Sequence, residues 1–494
     1  MDSRPQDIPV KKLIKALLAI SFGTIIEWYD FTIYTQLTGV MSKVFFPGSD
    51  PAVQALSIWG IFAVGFISRP VGALLFGHMG DTRGRGLCLL LSVILMGVPT
   101  VIIGCLPTYA QAGIASPALL ATMRLIQGLA MGGEFGAAMV YLHEIALPQY
   151  KSLTGSLGYV SLGLGVVLGI LVVAAVIYTV TGEAMLVWGW RVPFLLAVIT
   201  LVAAIVLRYN MPESQEFIMS RDEIDEEFRR RLKQQQMKKK RVSLKTTSTD
   251  LTCDVASSED GSMVKATVAA VAAADPEAGS GAAAAAPMKH YVPVLELFRG
   301  HWLGILVQAC YEAWIGAGFY LGYSWLPSFF TKHAGIPQPL TLWMVLSGMV
   351  IFTAVVPLAG WLSDKGVGRV TATMWVTVVA GVTSIPMFLG FATKSLALCW
   401  LLQVAILVMV AYTMGVLPAI CSNIYPAGVR ISGFNFAYNT GIMTFGGLTP
   451  LIMTAIQTNS KSIFIGPGIW MTCMAAVTVV SCIIMLKKFP ACNK

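Results

Sequence analysis

Twelve stretches of this chain are each apolar for about twenty residues or more, the length a helix needs to cross the hydrocarbon of a bilayer. They fall at about 13–40, 55–77, 87–106, 117–143, 155–180 and 190–209, and, after a polar interval, at about 300–327, 340–362, 370–393, 396–423, 431–456 and 463–486. In hydrocarbon every backbone N–H and C=O must find a partner within the chain, which leaves helices or a closed barrel. The ten-residue alternation of a membrane barrel is absent, so the expected fold class is an all-α membrane protein of twelve transmembrane helices in two six-helix halves. Composition agrees: of 494 residues, 56% are hydrophobic and 12% charged, with mean hydropathy +0.72. Lys11, Lys12 and Lys15 precede a first run too long for a signal-peptide core, so that run is expected to act as its own targeting element. The nine cysteines show neither metal-like nor disulfide-like spacing, and no metal or cofactor is expected.

The net charge of +9 is arranged for a membrane, not for nucleic acid. With both ends in the cytosol, cytosolic segments hold 27 of the 34 Lys and Arg, whereas the outer loops hold only Lys43, Lys332, Lys394 and Lys461. Setting aside the 14 from Arg208 to Arg299, in and beside the long central loop, leaves 13 against 4, which orients the chain by the positive-inside rule. The expected layout is a cytosolic segment 1–12, a six-helix half 13–209, a cytosolic loop 210–298, a second half 299–487 and a cytosolic tail 488–494. In the loop, 221–241 pairs acids with bases four residues later, as a solvated helix does, and 243–287 has the Ser, Thr, Ala and Gly content of a disordered tether.

Internal repetition organises the two halves. Gly77 to Asp81 with Arg85 is mirrored by Gly360 to Asp364 with Arg369, an offset of 283 residues between the two aspartates. Glu144, Pro148 and Lys151 are echoed by Asn423, Pro426 and Arg430 at offsets of 278 or 279. Two homologous halves around a midplane site suit a transporter that works by alternating access.

Charges inside the apolar runs mark that site. Glu27 and Asp30 lie in the middle of the first run, where a carboxylate costs about 2.5–3.5 kcal/mol on insertion scales. Helical spacing places Gly23, Glu27, Asp30 and Tyr34 on one face. Arg69 and Arg124 lie in the second and fourth runs, and two cations with two carboxylates in one half imply pairing. In the seventh run Gln308, Glu312, Phe319 and Tyr323 share a face, with Trp314 nearby, and the repeat offset carries Glu27 and Asp30 to positions 310 and 313. Candidates for the substrate cavity are therefore Tyr34, Arg69, Gln127, Gln308, Glu312, Trp314, Phe319 and Tyr323. Two readings of Glu312 stand side by side: it meets a cationic group or a transported proton, or it is a silent protonated acid bonded to Gln308 one turn away.

GHMGDTRGRG (77–86) and its second copy GWLSDKGVGR resemble the loop after the second helix of each half in the major facilitator superfamily. More narrowly, GTIIEWYDF, GFISRPVGALLFGHMGD, RLIQGLAMGGEFG, WGWRVPF, MPESQEF and GFYLGYSWLP, in that order, resemble the metabolite:proton symporter family, which includes proline/betaine, α-ketoglutarate, citrate and shikimate permeases. The likeness covers nearly the whole chain outside 218–290. It implies the twelve-helix major facilitator fold, a monomer in the plasma membrane, and proton-coupled uptake of a small solute with no cofactor beyond the proton gradient. It implies proton coupling at Asp30 with Arg124, with Glu27 as an alternative carrier, and a cytosolic gate of Asp81, Arg85, Glu144, Asp364, Arg369 and Arg430. Thr82 replaces a usual base, the second copy has one extra residue before Arg369, and Asn423 stands where the first half has Glu144, so the C-terminal latch is expected to be the weaker. An exporter of drugs or metabolites and a non-transporting nutrient sensor are the alternatives. A nucleotide-driven pump is disfavoured, because no Gly-x4-Gly-Lys-[Ser/Thr] loop occurs.

Overall fold

The computed structural model describes residues 10–48, 51–180, 182–209, 293–450, 452–453, 456 and 464–493. The first half comprises α1 (Val10–Phe45), α2 (Pro51–Arg83), α3 (Arg85–Cys105), α4 (Ala115–Ile145), α5 (Lys151–Thr179) and α6 (Arg191–Arg208). The second comprises α7 (Trp302–Tyr320), α8 (Gln338–Asp364), α9 (Arg369–Phe391), α10 (Leu396–Ser422), α11 (Arg430–Gly441) and α12 (Ile465–Lys488). Both belong to one compact unit. Among the described residues nine helices are long and apolar enough to cross a membrane, and α1, α7 and α11 complete the twelve.

The last two are interrupted rather than short. After α7 the backbone widens into π-helical turns at Leu321–Trp325 and Phe330–Ala334, on either side of Pro327, which supplies no N–H to the ladder. After α11 it does the same at Ile442–Gly447, which carries two adjacent glycines. The helix α1 begins at Val10, and a short helix, Pro293–Gly300, precedes α7. The paired helix expected at 221–241, the tether at 243–287 and the MPESQEF motif lie outside the described residues.

Small residues bring the helices together, because helices in lipid associate by close packing. A Cβ on Gly132 of α4 would lie 2.1 Å from the Arg69 carbonyl oxygen of α2, and one on Gly128 would lie 2.0 Å from that of Gly65. Between the halves, Gly163 of α5 faces Thr353 of α8, Gly155 faces Pro418 of α10, and Gly77 of α2 lies against Ser432 of α11. Asn435 and Asn439 of α11 donate to the carbonyls of Gly133 and Gly132 at 3.3 and 3.0 Å, so α4 and α11 are hydrogen-bonded at the centre. The two halves thus meet through α1–α7, α2–α11, α4–α11 and α5–α8, around the charges on α1, α2, α4 and α7.

Candidate solute site and gate

The face of α1 that carries Glu27 and Asp30 is buried. Arg124 donates through Nη1 to Asp30 Oδ2 at 2.7 Å, with its guanidinium carbon 3.9 Å from the centre of the Tyr34 ring. Tyr34 is held in turn by a 2.9 Å bond to the Ile58 carbonyl. A charge-assisted bond, an aromatic face and nearly complete burial make this a closed pair.

A second pair lies nearer the start of α1. Arg208, at the end of α6, grips both carboxylate oxygens of Glu134 on α4, while Ser92 of α3 donates to the same carboxylate and Arg208 also reaches the Leu89 and Ile20 carbonyls. Gly23 makes room: a Cβ there would collide with the guanidinium. The sequence alone gives Arg208 no such role. Its only signal is a base at the last position of an apolar run, where topology alone would also put one.

Arg69 differs from both. It is buried, its Nη2 contacts the Met131 sulfur at 3.2 Å, its guanidinium lies 4.1 Å from the Phe66 ring centre, and its Nε has no partner. Among the described residues no carboxylate pairs with it. Glu27 is equally unengaged: no described group hydrogen-bonds it, its Oε2 is sealed from solvent, and the charges that reach it are Glu134, Arg69 and Arg208.

Across the interface Glu312 is fully buried with neither oxygen bonded. Gln308, one turn away, turns its amide to the Phe434 carbonyl at 3.2 Å, so the expected alternative of a Gln308–Glu312 bond is not what forms. Tyr159 of α5 and Tyr438 of α11 lie within the electrostatic reach of Glu312, and Tyr438 is also within reach of Glu27 and Arg69. Phe319 packs edge-on against Trp28, Tyr320 against Phe31 and Phe66, and the Tyr323 hydroxyl bonds Thr32 Oγ1 at 2.8 Å, so this face of α7 is the seam with α1. Two expected cavity residues sit elsewhere. Trp314 points into the second half, among Ala380, Ile406, Met409 and Met471, and Gln127 donates to Thr100 of α3 at 2.9 Å, inside the first half. Both are on the right helices but about a quarter-turn or more off the seam. No group of three or more His, Cys, Asp or Glu among the described residues could hold a metal.

At the end of the bundle that bears the repeated loops, the second copy forms a complete latch. Asp364 accepts from the Ser152 and Leu153 backbone N–H groups at 3.0 and 2.8 Å, capping the start of α5 in the other half. Arg369 bonds Asp364 at 3.2 Å and Ser152 Oγ at 2.7 Å. The extra residue before Arg369, which was expected to weaken this latch, does not stop it reaching back to Asp364. Glu144 pairs across the halves with Arg430 at 3.2 Å, which adds a partner the sequence reading did not give it. The side chains of Asp81 and Arg85 lie outside the described residues.

The turn after α12, Pro490–Asn493, supports this latch. The residue before α9, Gly368, has no side chain to cap the helix, and Asn493 Oδ1 takes over by accepting from Thr371 N at 3.1 Å and Thr371 Oγ1 at 3.2 Å. The adjacent Cys492 is buried, which pushes its thiol up to about 12 against the opposing effect of the Arg369 guanidinium.

The profile of the sugar (and other) transporter family matches residues 16–274. The chain is 28% identical to the α-ketoglutarate permease of Escherichia coli K12 over 463 residues, covering 92% of this chain and 90% of that protein. It is 28% identical to the shikimate transporter of the same strain over 497 residues, covering 97% of each, and 26% identical to its proline/betaine transporter over 476 residues, covering 96% and 83%. In fold it is similar to the proton:xylose symporter XylE bound to 6-bromo-6-deoxy-D-glucose, with a TM-score of 0.70 at 15% identity, covering 98% of this chain and 97% of that one. The chain belongs to the sugar (and other) transporter family, and it is a multi-pass membrane transporter, not an enzyme.

Proposed function

We propose that this chain is a proton-coupled symporter of a small zwitterion that carries a carboxylate and an ammonium, such as an amino acid or a betaine. The observation that carries the reading is the pair of unsatisfied buried charges on opposite sides of the seam: Arg69, a cation without a carboxylate, and Glu312, a carboxylate without a cation. A buried charge is tolerable only when something compensates it, and a zwitterion spanning the seam compensates both. Tyr320, Tyr438 and Phe319 supply aromatic faces for the ammonium. A dicarboxylate fits less well, since the charge of Arg124 is already neutralised by Asp30.

The proton gradient is the driving force in this reading, and a carboxylate of α1 takes the proton. The latch closes the end that the Lys and Arg asymmetry assigns to the cytosol, with both chain ends on that side of the plasma membrane. A monomer suffices, because both halves of the site come from one chain.

The test is uptake by purified protein in liposomes under an imposed pH gradient, with labelled L-proline, glycine betaine, shikimate and α-ketoglutarate. Zwitterions should accumulate and compete best. Glu312→Gln should weaken their binding by about 10- to 100-fold, the effect of losing one bond to a charged group at about 1.5–3 kcal/mol. Unchanged zwitterion affinity in that variant, with α-ketoglutarate the better competitor in the unmodified protein, would refute the reading.

A further inference from the structure

The buried carboxylates of the first half are almost all engaged: Asp30 holds Arg124, Glu134 holds Arg208 and Glu144 holds Arg430. Glu27 is the exception among the described residues. The buried arginines show the same pattern, because Arg124, Arg208 and Arg369 hold carboxylates and Arg69 does not. The two unpaired groups lie close together, because the Arg69 guanidinium stands 5.8 Å from the centre of the Phe31 ring, one turn beyond Glu27 on α1. Of the two cations that reach Glu27, Arg69 acts more strongly than Arg208, and Arg208 is already neutralised by both oxygens of Glu134.

We propose that Glu27 is the proton-carrying carboxylate and that Arg69 couples it to the solute, the ionised Glu27 and the solute's carboxylate competing for one guanidinium. This rests on the symporter reading above and assigns its coupling step. With the site empty, Arg69 is the counter-charge of Glu27. When a solute carboxylate seats on Arg69, Glu27 loses that counter-charge in a low-dielectric site and takes a proton from the water on the entry side. When the solute leaves on the other side, Arg69 again faces Glu27, which releases the proton there. One proton moves per solute, and with a zwitterion each cycle carries one positive charge. The groups that face Glu27 from the packed elements fit the role: Arg69 from α2, Glu134 from α4, Arg208 from α6, Tyr320 from α7 and Tyr438 from α11. Only Arg69 among them is a cation without a carboxylate partner of its own. The Asp30–Arg124 pair, closed on Tyr34, then braces α1 against α4 instead of carrying the proton.

The experiment uses the full chain in liposomes with L-proline, glycine betaine and α-ketoglutarate as probes. Glu27→Gln should keep solute counterflow within about threefold of the parent while gradient-driven accumulation falls to simple equilibration and solute-linked proton entry disappears. Its solute affinity should also lose the pH dependence of the parent between about pH 5 and 8, since no carboxylate is left to compete for Arg69. Arg69→Met should weaken binding of every carboxylate probe by about tenfold or more. Glu27→Asp, which keeps the charge and fold, should restore accumulation with a displaced pH midpoint. Full accumulation by Glu27→Gln, retained pH dependence in that variant, or an unmoved midpoint in Glu27→Asp would each overturn the assignment. Absence of counterflow for all probes in the unmodified protein is a different result, because it sinks the symporter reading itself.

Discussion

Asp364→Asn tests the latch most directly. The carboxylate is the acceptor for three bonds, two of them to backbone N–H groups at the start of α5 in the opposite half, and its side chain is only 4% exposed. An asparagine keeps one acceptor, turns an NH2 group toward a donor and removes the charge that sits at a helix N-terminus. A hydrogen bond to a charged group contributes about 1.5–3 kcal/mol and a carboxylate at a helix start about 0.3–1 kcal/mol, before the recovered solvation of the open form is subtracted. The closed latch should therefore lose about 2–3 kcal/mol, which shifts the closed-to-open ratio at this end by about 30- to 150-fold. Spin labels at the exposed residues Gln149 and Val367 read that ratio as a distance distribution. The variant should gain a long-distance population, and its turnover should change with it. A distribution and a turnover that both match the parent would refute the claim that the Asp364 carboxylate helps hold the halves together.

Two further predictions follow from packing and capping. Gly132→Ala places a methyl group 2.1 Å from the Arg69 carbonyl oxygen and 2.6 Å from the Ala73 nitrogen, so it should lower thermal stability by about 1–3 kcal/mol and weaken carboxylate binding by displacing Arg69. Gly39→Ala, with open space around it, is the control, and equal melting of the two variants would count against the α2–α4 packing described. Asn493→Ala should weaken the start of α9 by about 1 kcal/mol, the usual cost of a lost cap, and open the latch about fivefold in the same spin-label measurement. Asn493→Asp keeps the acceptor and should restore the parent distribution, whereas identical behaviour of the alanine and aspartate variants would show that the cap is idle.

Several of the buried charges were visible in the sequence because the relevant physics is local. A carboxylate fourteen or seventeen residues into an apolar run is costly wherever the helix packs, so Glu27 and Asp30 marked themselves before any contact was known. The same reasoning found Arg69, Arg124 and Glu312, and period 3.6 placed Phe319 and Tyr323 on the face that the structure turns toward α1. Trp314 and Gln127 were drawn to the wrong surface because an angle around a helix axis cannot say which neighbour stands at that angle. Arg208 was invisible for a related reason. A base that ends an apolar run looks like a topology signal, and only the packing of α6 against α1 and α3 brings it onto Glu134, 74 residues away in the chain.

The sequence by itself determined the number of spans, their helical nature, the division into two repeated halves and the residues that carry buried charge, since each follows from hydropathy, period and spacing along one segment. The tertiary structure alone decided who partners whom. Asp30 meets Arg124 across 94 residues and Glu144 meets Arg430 across 286, while Glu27, Arg69 and Glu312 are left unpaired among the described residues. Which charges are satisfied and which are available depends on how helices distant in the chain come to lie side by side, and in a bilayer those approaches are set by small residues and close packing that no single segment encodes.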